Sequence, residues 1–255
     1  MNHYCVLVIY NMDINQSKSY QFLKNQKENT VIVCDNSEKE NKNDITIQKD
    51  HQIYISMNGN KGLSYAYNQA INYIEKVNPD MKGKVTFFDD DTIISEDFFI
   101  KMSQTDKEIC LPVVSDGNSL LSPSMFKNGK SIRIKNLEQL DMKYVSGINS
   151  GMTINLEIFK DYRYNESLFL DYVDHYFLYE MKQKKRTIEV VDTQCIQNFS
   201  ANGNDKESDR KRFAIFKKDS KTFYKLTSMK GYYKVIGRRI FRLWLKYKDF
   251  SMFKD

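Results

Sequence analysis

Proline and glycine are scarce in this chain, with three and ten among 255 residues. That argues against long disordered stretches. Cysteine is scarce as well. Cys5, Cys34, Cys110 and Cys195 are scattered, with no CxxC and no Cys–His grouping at zinc spacing. Three of them lie in apolar surroundings, so they read as buried free thiols of a protein kept in a reducing compartment. Long hydrophobic runs are also missing. The first apolar segment, residues 4–10, is too short for a secretory signal and has no basic region before it. No stretch approaches the roughly 20 apolar residues that a spanning helix needs. The expectation is a soluble, cytoplasmic protein that is still free to lie on the inner face of the cell membrane.

Aromatic residues are plentiful, with 17 Tyr and 16 Phe in a chain that is 41% hydrophobic. That suffices for one sizeable core, or one domain with an appendage. The net charge of +6 is spread unevenly. From residue 225 onward the chain carries Lys225, Lys230, Lys234, Arg238, Arg239, Arg242, Lys246, Lys248 and Lys254, opposed only by Asp249 and Asp255. That asymmetry predicts an anionic partner near the C-terminus.

The first half alternates strand and helix patterns. Residues 4–10 (YCVLVIY), 30–34 (TVIVC), 51–57 (HQIYISM) and 84–88 (KVTFF) read as strands. Helices are expected over 17–26 and from Leu63 to the Asn78-Pro79 stop, where Leu63, Ala66, Tyr67, Ala70, Ile71, Ile74 and Val77 form one apolar stripe. Ser95 reads as the N-cap of a helix beginning at Glu96. Shorter strands and loops fill 108–155, a helix is expected from Leu170 to about Lys184, and a strand returns at 187–191. Beyond residue 204 the chain turns basic and helical. This order predicts an α/β fold with a mostly parallel sheet, whose ligands bind beyond the carboxyl ends of the strands. Asp35 and the run Asp89, Asp90 and Asp91 fall at such ends.

Three adjacent carboxylates after an apolar strand repel one another, and each wants water or a cation. A hard divalent ion resolves this, taking one or two carboxylates and filling its other positions with water and phosphate oxygens. If the strand continues, Asp89 and Asp91 point to one side and Asp90 to the other. A solvated acidic turn is the alternative that those three residues leave open.

In context the sequence resembles the family 2 glycosyltransferases of the GT-A fold, and within them the rhamnosyltransferase-like branch. The matching stretches are TVIVCDNS (30–37), NGNKGLSYAYNQAI (58–71), VTFFDDDTIISEDFF (85–99), INSGMTINLEIF (148–159) and LFLDYVDHYF (168–177), in family order. The resemblance implies a catalytic domain over 1–205 and a basic-aromatic helical extension over 206–255. It makes Asp35 and Asn36 donor-binding residues, with Asp35 recognising the base or ribose. Asn60 and Gly62 would border the nucleotide, where a glycine turn entering a helix offers backbone N–H groups to an anion. Asp89, Asp90 and Asp91 resemble the DxD element that binds a metal, Mn²⁺ or Mg²⁺, and the donor diphosphate.

Asp174 aligns with the family's catalytic base, and Val173 stands where a Glu often precedes it. Asp171, one helical turn earlier, would share its face and support it. Asn149 and Ser150 would offer hydrogen bonds beside the donor sugar. Many relatives complete the metal site with a late His. This chain has none there, so Gln197 or Asn198 would supply an amide oxygen, which puts the need for metal in doubt. His175 reads as structural. The implied reaction is an inverting transfer from a dTDP- or UDP-sugar to a glycan acceptor, one carried on a membrane lipid if the basic tail lies on an anionic bilayer. A tail packed on the core is the alternative. Two other functions stay open. A sugar-1-phosphate nucleotidyltransferase would need a Gly-rich basic loop after the first strand, where Asn11, Met12 and Asp13 stand instead. A nucleic-acid-binding protein would explain the tail but neither the acidic run nor Asp174, so no nucleic-acid partner is expected.

Overall fold

The computed structural model describes residues 2–39, 41–48, 52–197, 205–250 and 253. Its elements in chain order are β1 (His3–Ile9), α1 (Lys18–Leu23), β2 (Thr30–Asp35), α2 (Asn43–Thr46), β3 (Gln52–Ser56), α3 (Leu63–Val77), β4 (Lys84–Asp89), β5 (Ile93–Ile94) and α4 (Phe98–Ser103). There follow β6 (Ile109–Ser115), β7 (Leu120–Ser122), β8 (Ser124–Lys127), β9 (Lys130–Ile132), β10 (Val145–Ser146), β11 (Thr153–Asn155), α5 (Val173–Gln183), β12 (Ile188–Ile196), α6 (Lys206–Thr227) and α7 (Tyr232–Tyr247).

The main sheet runs β3-β2-β1-β4-β11-β6-β12-β5, with β7 added beside β6. The long pairings, β1 with β2 and β4, β2 with β3 and β6 with β12, are parallel, whereas β11, β5 and β7 join antiparallel over two or three residues. The order places β1 inside the sheet, between β2 and β4, and its side chains alternate between two buried layers. Tyr4, Val6 and Val8 face the layer covered by α3, α5 and part of α6. Cys5, Leu7 and Ile9 face the layer covered by α1 and α4. All four cysteines are free and buried. A small antiparallel sheet, β10-β8-β9, lies off the main one. Among the described residues no helix is long and apolar enough to cross a membrane.

Three expected boundaries move. α1 stops at Leu23, although its N-cap is Ser17, whose Oγ accepts the Tyr20 N–H at 3.1 Å. Ser95 does not cap α4. Its hydroxyl donates to Asp97 Oδ1 at 2.7 Å and meets Thr193 Oγ1 at 2.9 Å, and the helix begins at Phe98. α5 begins at Val173 rather than near Leu170, because Tyr172 is left-handed with φ 66°. Asp171 therefore precedes the helix and does not share a helical face with Asp174.

α6 and α7 form the C-terminal helical extension, and α6 is built into the body. Its Phe223 and Tyr224 are 0% and 1% exposed within the main core layer. α7 buries only Leu243.

Candidate active site

A cleft of about 1110 Å³ opens at the carboxyl ends of β1, β2 and β4, and α5, α6 and Gln197 complete its wall. Asp89, Asp90, Asp91, Asn149, Asp174, Gln197, Asn36, Asn60 and Gly62 all line it. The topology thus gathers most of the residues singled out in the sequence, from segments more than a hundred positions apart.

The acidic loop is held from behind. β4 ends at Asp89, so strand alternation does not extend to Asp91. The loop instead hangs on the start of α1. Ser17 Oγ donates to the Asp90 carbonyl at 2.8 Å, and Ser19 Oγ donates to the carbonyls of Asp89 and Thr92. All three acidic residues, Asp90 included, line the cleft. Burial, then the Asp91 charge, pushes the Asp89 carboxyl up to about 7. Asp90 and Asp91 are also raised, first by burial.

Gln197 follows β12 directly and is pinned by its N–H to the Ser115 carbonyl at 2.9 Å. Its Nε2 donates to Asp89 Oδ2 at 2.6 Å, and its amide also stabilises the ionised form of Asp91. Four buried polar atoms of this cleft have no hydrogen-bond partner: Asp91 Oδ1, Gln197 Oε1, Asn149 Oδ1 and Tyr67 Oη. Three of them are oxygens that only accept, and such atoms are costly when left unpaired. The Tyr67 hydroxyl lies near enough to Asn149 to feel it, without hydrogen-bond geometry.

Among the described residues no three His, Cys, Asp or Glu side chains gather as a metal-binding group. What is present is a carboxylate pair, Asp89 and Asp91, with the unpaired amide oxygen of Gln197. That all-oxygen set fits a hard ion such as Mg²⁺ or Mn²⁺, which keeps water or phosphate oxygens in its remaining positions. Asn198 lies outside the described residues.

Asp174 stands in the first turn of α5 and lines the cleft. Burial raises its pKa, opposed by the His175 charge and by the His175 backbone N–H, which donates to Asp174 Oδ1 at 2.7 Å. Its charge is felt at Asp89 and at Tyr67, so the two acidic centres share one field. His175 Nδ1 is 2.6 Å from Ser146 Oγ, a contact that anchors the start of α5.

Three residues depart from their expected placing. Asp35 does not reach the cleft. It is 2% exposed, and its oxygens accept from Ser37 N, Asn41 Nδ2, Asn43 Nδ2 and Tyr54 Oη at 2.8 to 3.1 Å. Burial alone would raise its pKa, but the bonds from Ser37, Asn43 and Asn41 outweigh burial and hold it below the ordinary value. Ser150 also sits behind the wall, 0% exposed, with its Oγ 2.5 Å from Thr92 Oγ1. Asp171 lines the cleft but is ion-paired to Arg212 of α6.

The turn before α3 is not the open anion cradle expected. The Lys61 N–H goes to Asn36 Oδ1, that of Gly62 to Asn60 Oδ1 and that of Leu63 to the Phe169 carbonyl at 2.7 Å. Asn36 and Asn60 thus latch the turn. Gly62 is required there: its φ is +88°, and a Cβ would come 2.6 Å from the Phe169 carbonyl oxygen.

Sequence reasoning missed the groups that orient Asp174. Asp219 of α6, 0% exposed, accepts the N–H groups of Phe169, Leu170 and Asp171 at 3.0, 2.8 and 2.8 Å. Those partners lie 48 to 50 positions away, so no local signal marks Asp219. Tyr67 was legible only as part of an apolar stripe.

No family model matches this chain, and no curated protein matches it. Among solved structures it is similar to S. aureus TarS, with a TM-score of 0.52 and 16% identity over 84% of this chain. The chain spans 39% of the length of that TarS chain. It also matches a 4-diphosphocytidyl-2C-methyl-D-erythritol synthase (TM-score 0.49, 6% identity, 84% of this chain and 98% of that one). A third match is a structure from Desulfovibrio desulfuricans G20 described as a nucleotide-diphospho-sugar transferase (TM-score 0.42, 8% identity, 88% and 98%). At these identities the TarS likeness carries the fold alone: a mixed α/β architecture with a large central sheet flanked by helices.

Proposed function

We propose that this chain is an inverting glycosyltransferase that moves a sugar from a dTDP- or UDP-sugar to a hydroxyl of a growing, lipid-linked cell-surface polysaccharide. One observation carries the reading. A single cleft holds a raised-pKa carboxylate, Asp174, within the electrostatic reach of a second acidic centre whose acceptor oxygens lack partners.

In the reaction Asp174 takes the proton of the acceptor hydroxyl, and its raised pKa makes the ionised form a stronger base. The hydroxyl oxygen forms the new bond to the anomeric carbon from the face opposite the nucleotide. The bond from that carbon to the diphosphate breaks, and the diphosphate leaves with the electron pair. Asn149 and Tyr67 offer unpaired polar atoms to the sugar hydroxyls. Asp89, Asp91 and Gln197 would hold Mn²⁺ or Mg²⁺, which when bound offsets the charge of the departing diphosphate.

The loop after β1 speaks against nucleotidyl transfer. It has no Lys or Arg between Tyr10 and Ser17, and its polar groups are used locally, with Asn11 Oδ1 accepting the N–H groups of Glu38 and Lys39. α7 supports a peripheral membrane position. Tyr233, Phe241, Leu245 and Phe250 are 80%, 59%, 48% and 62% exposed beside its basic residues. Phe241→Ser with Leu245→Ser should weaken binding to anionic vesicles, and unchanged binding would remove the membrane from the proposal.

The central test is thermal denaturation with a panel of sugar nucleotides, with and without Mn²⁺. One of them should raise the melting temperature in the wild type and fail to do so in Asp91→Ala. If none stabilises the wild type, the donor reading is lost.

A further inference from the structure

A second cavity, of about 220 Å³, lies between β9 and α7. Its α7 wall is one helical stripe, in which Lys234, Arg238 and Arg242 follow at four-residue spacing and Arg239 stands beside them. Lys130 closes the other side. No carboxylate is among the described residues that line it. Arg239 is half-buried with its guanidinium 5.4 Å from the Phe216 ring centre. Its pKa is lowered first by burial, then by the neighbouring charges of Arg212 and Arg242, against Asp171 and Asp209. Lys130, Lys234, Arg238 and Arg242 crowd round a concave surface, where like charges repel one another and focus a positive field, and an anion seated there relieves both.

The location gives the cavity a role. Ser131, Tyr172 and Phe216 line both this cavity and the main cleft, so the two adjoin. Tyr172 is two residues before Asp174, at the entrance of α5. None of Asp89, Asp91, Asn149 or Gln197 lines the cavity, so the donor end of the cleft lies elsewhere. Guanidinium groups suit phosphate oxygens, which they engage with parallel N–H bonds.

We propose that this cavity is an anion subsite that seats a phosphate group of the acceptor while the acceptor hydroxyl lies at Asp174. The proposal rests on the transferase reading for the word acceptor, but the subsite itself is a binding property of the fold. A phosphodiester within a soluble chain and the phosphate of a lipid headgroup share the same chemistry.

The test uses the full chain in EDTA, which removes any metal-dependent binding at the donor end. Calorimetric titration with inorganic pyrophosphate probes a free phosphate, and sedimentation with vesicles of equal parts phosphatidylglycerol and phosphatidylcholine probes a headgroup. Arg238→Gln with Arg242→Gln should weaken pyrophosphate binding by about tenfold or more. Lys221→Gln with Lys225→Gln removes the same charge from α6 outside the cavity and should change binding by no more than about twofold. All four side chains are exposed, so both variants keep the core intact. A loss confined to the vesicle arm is what a basic α7 lying on the bilayer gives without any subsite, so it overturns the proposal; a loss in both arms lets the phosphate belong to a lipid. Equal binding by the wild type and the Arg238/Arg242 variant in both arms overturns it. Hydrolysis of a sugar nucleotide by water needs the donor end and Asp174 but no acceptor phosphate, so it should be unchanged in that variant. If the wild type itself hydrolyses and transfers nothing, the transferase reading falls while the binding arms still judge the subsite.

Discussion

Arg212 of α6 clasps Asp171 through both guanidinium nitrogens, with Nη2 2.7 Å from Oδ1. The two side chains are 30% and 17% exposed, so water screens the pair only in part. This clasp and the Asp219 cap together fasten the segment that leads into Asp174. Arg212→Ala should cost about 2 kcal/mol, because it leaves a largely buried carboxylate unpaired. Calorimetric melting measures this, and an unchanged melting temperature would mean the clasp is only a surface contact. In an activity assay kcat should fall more than donor affinity, since the base is displaced while Asp89, Asp91 and Gln197 stay in place.

Asp89 makes stability depend on pH in an unusual direction. Its ordinary value is 3.8, and burial with the Asp91 charge lifts it to about 7 in the folded chain. A carboxyl whose folded pKa lies above its unfolded one favours folding while it is protonated. That contribution is lost as pH rises from about 4 to about 7. The metal-free protein should therefore melt lower at pH 8 than at pH 5.5, as far as this group decides. Asp89→Asn should flatten the slope. Manganese should stabilise the wild type more at pH 8 than at pH 5.5, because it binds the ionised form. Melting curves at both pH values with and without Mn²⁺ check this, and a metal effect independent of pH would count against Asp89 as a ligand.

Asp174→Asn keeps the size of the side chain and removes its basicity. Donor-induced stabilisation should persist, whereas turnover should drop by about 10²- to 10⁴-fold. Unimpaired turnover would take Asp174 out of the mechanism.

Gly62→Ala places a methyl group 2.6 Å from the Phe169 carbonyl oxygen and asks alanine to hold φ +88°. The expected cost is about 2 to 3 kcal/mol, with the Leu63-to-Phe169 hydrogen bond weakened. Because the same turn borders the cleft, donor binding should weaken along with stability. A variant as stable as the wild type would show that Phe169 yields easily.

Much of the architecture was legible along the chain. The β-branched and aromatic runs that became β1, β2, β3 and β4 are short, apolar and bounded by turns, and the stripe of α3 is regular, so each element declares itself locally. The acidic run after KVTFF was legible for the same reason, since like charges packed in sequence need an explanation. Gln197 became a candidate, together with Asn198, only through the family resemblance, which implies a late His in that stretch. Asp35 misled: a carboxylate at a strand end is equally suited to a ligand or to a hub of internal bonds, and Asn41, Asn43 and Tyr54 make it the second.

The order of strands and helices, the scattered buried thiols and the acidic run followed from residue type and spacing, because those features depend on neighbours a few positions away. The closeness of Asp174 to Asp89, the unpaired oxygens of Asp91 and Gln197, and the start of α5 at Val173 came from the folded chain. Each depends on a partner dozens of residues distant: Asp219 holding Phe169, Leu170 and Asp171, Ser17 and Ser19 holding the acidic loop, and Ser115 pinning Gln197. Such bonds form only when packing brings their donors and acceptors together, and no periodicity in the sequence encodes that meeting.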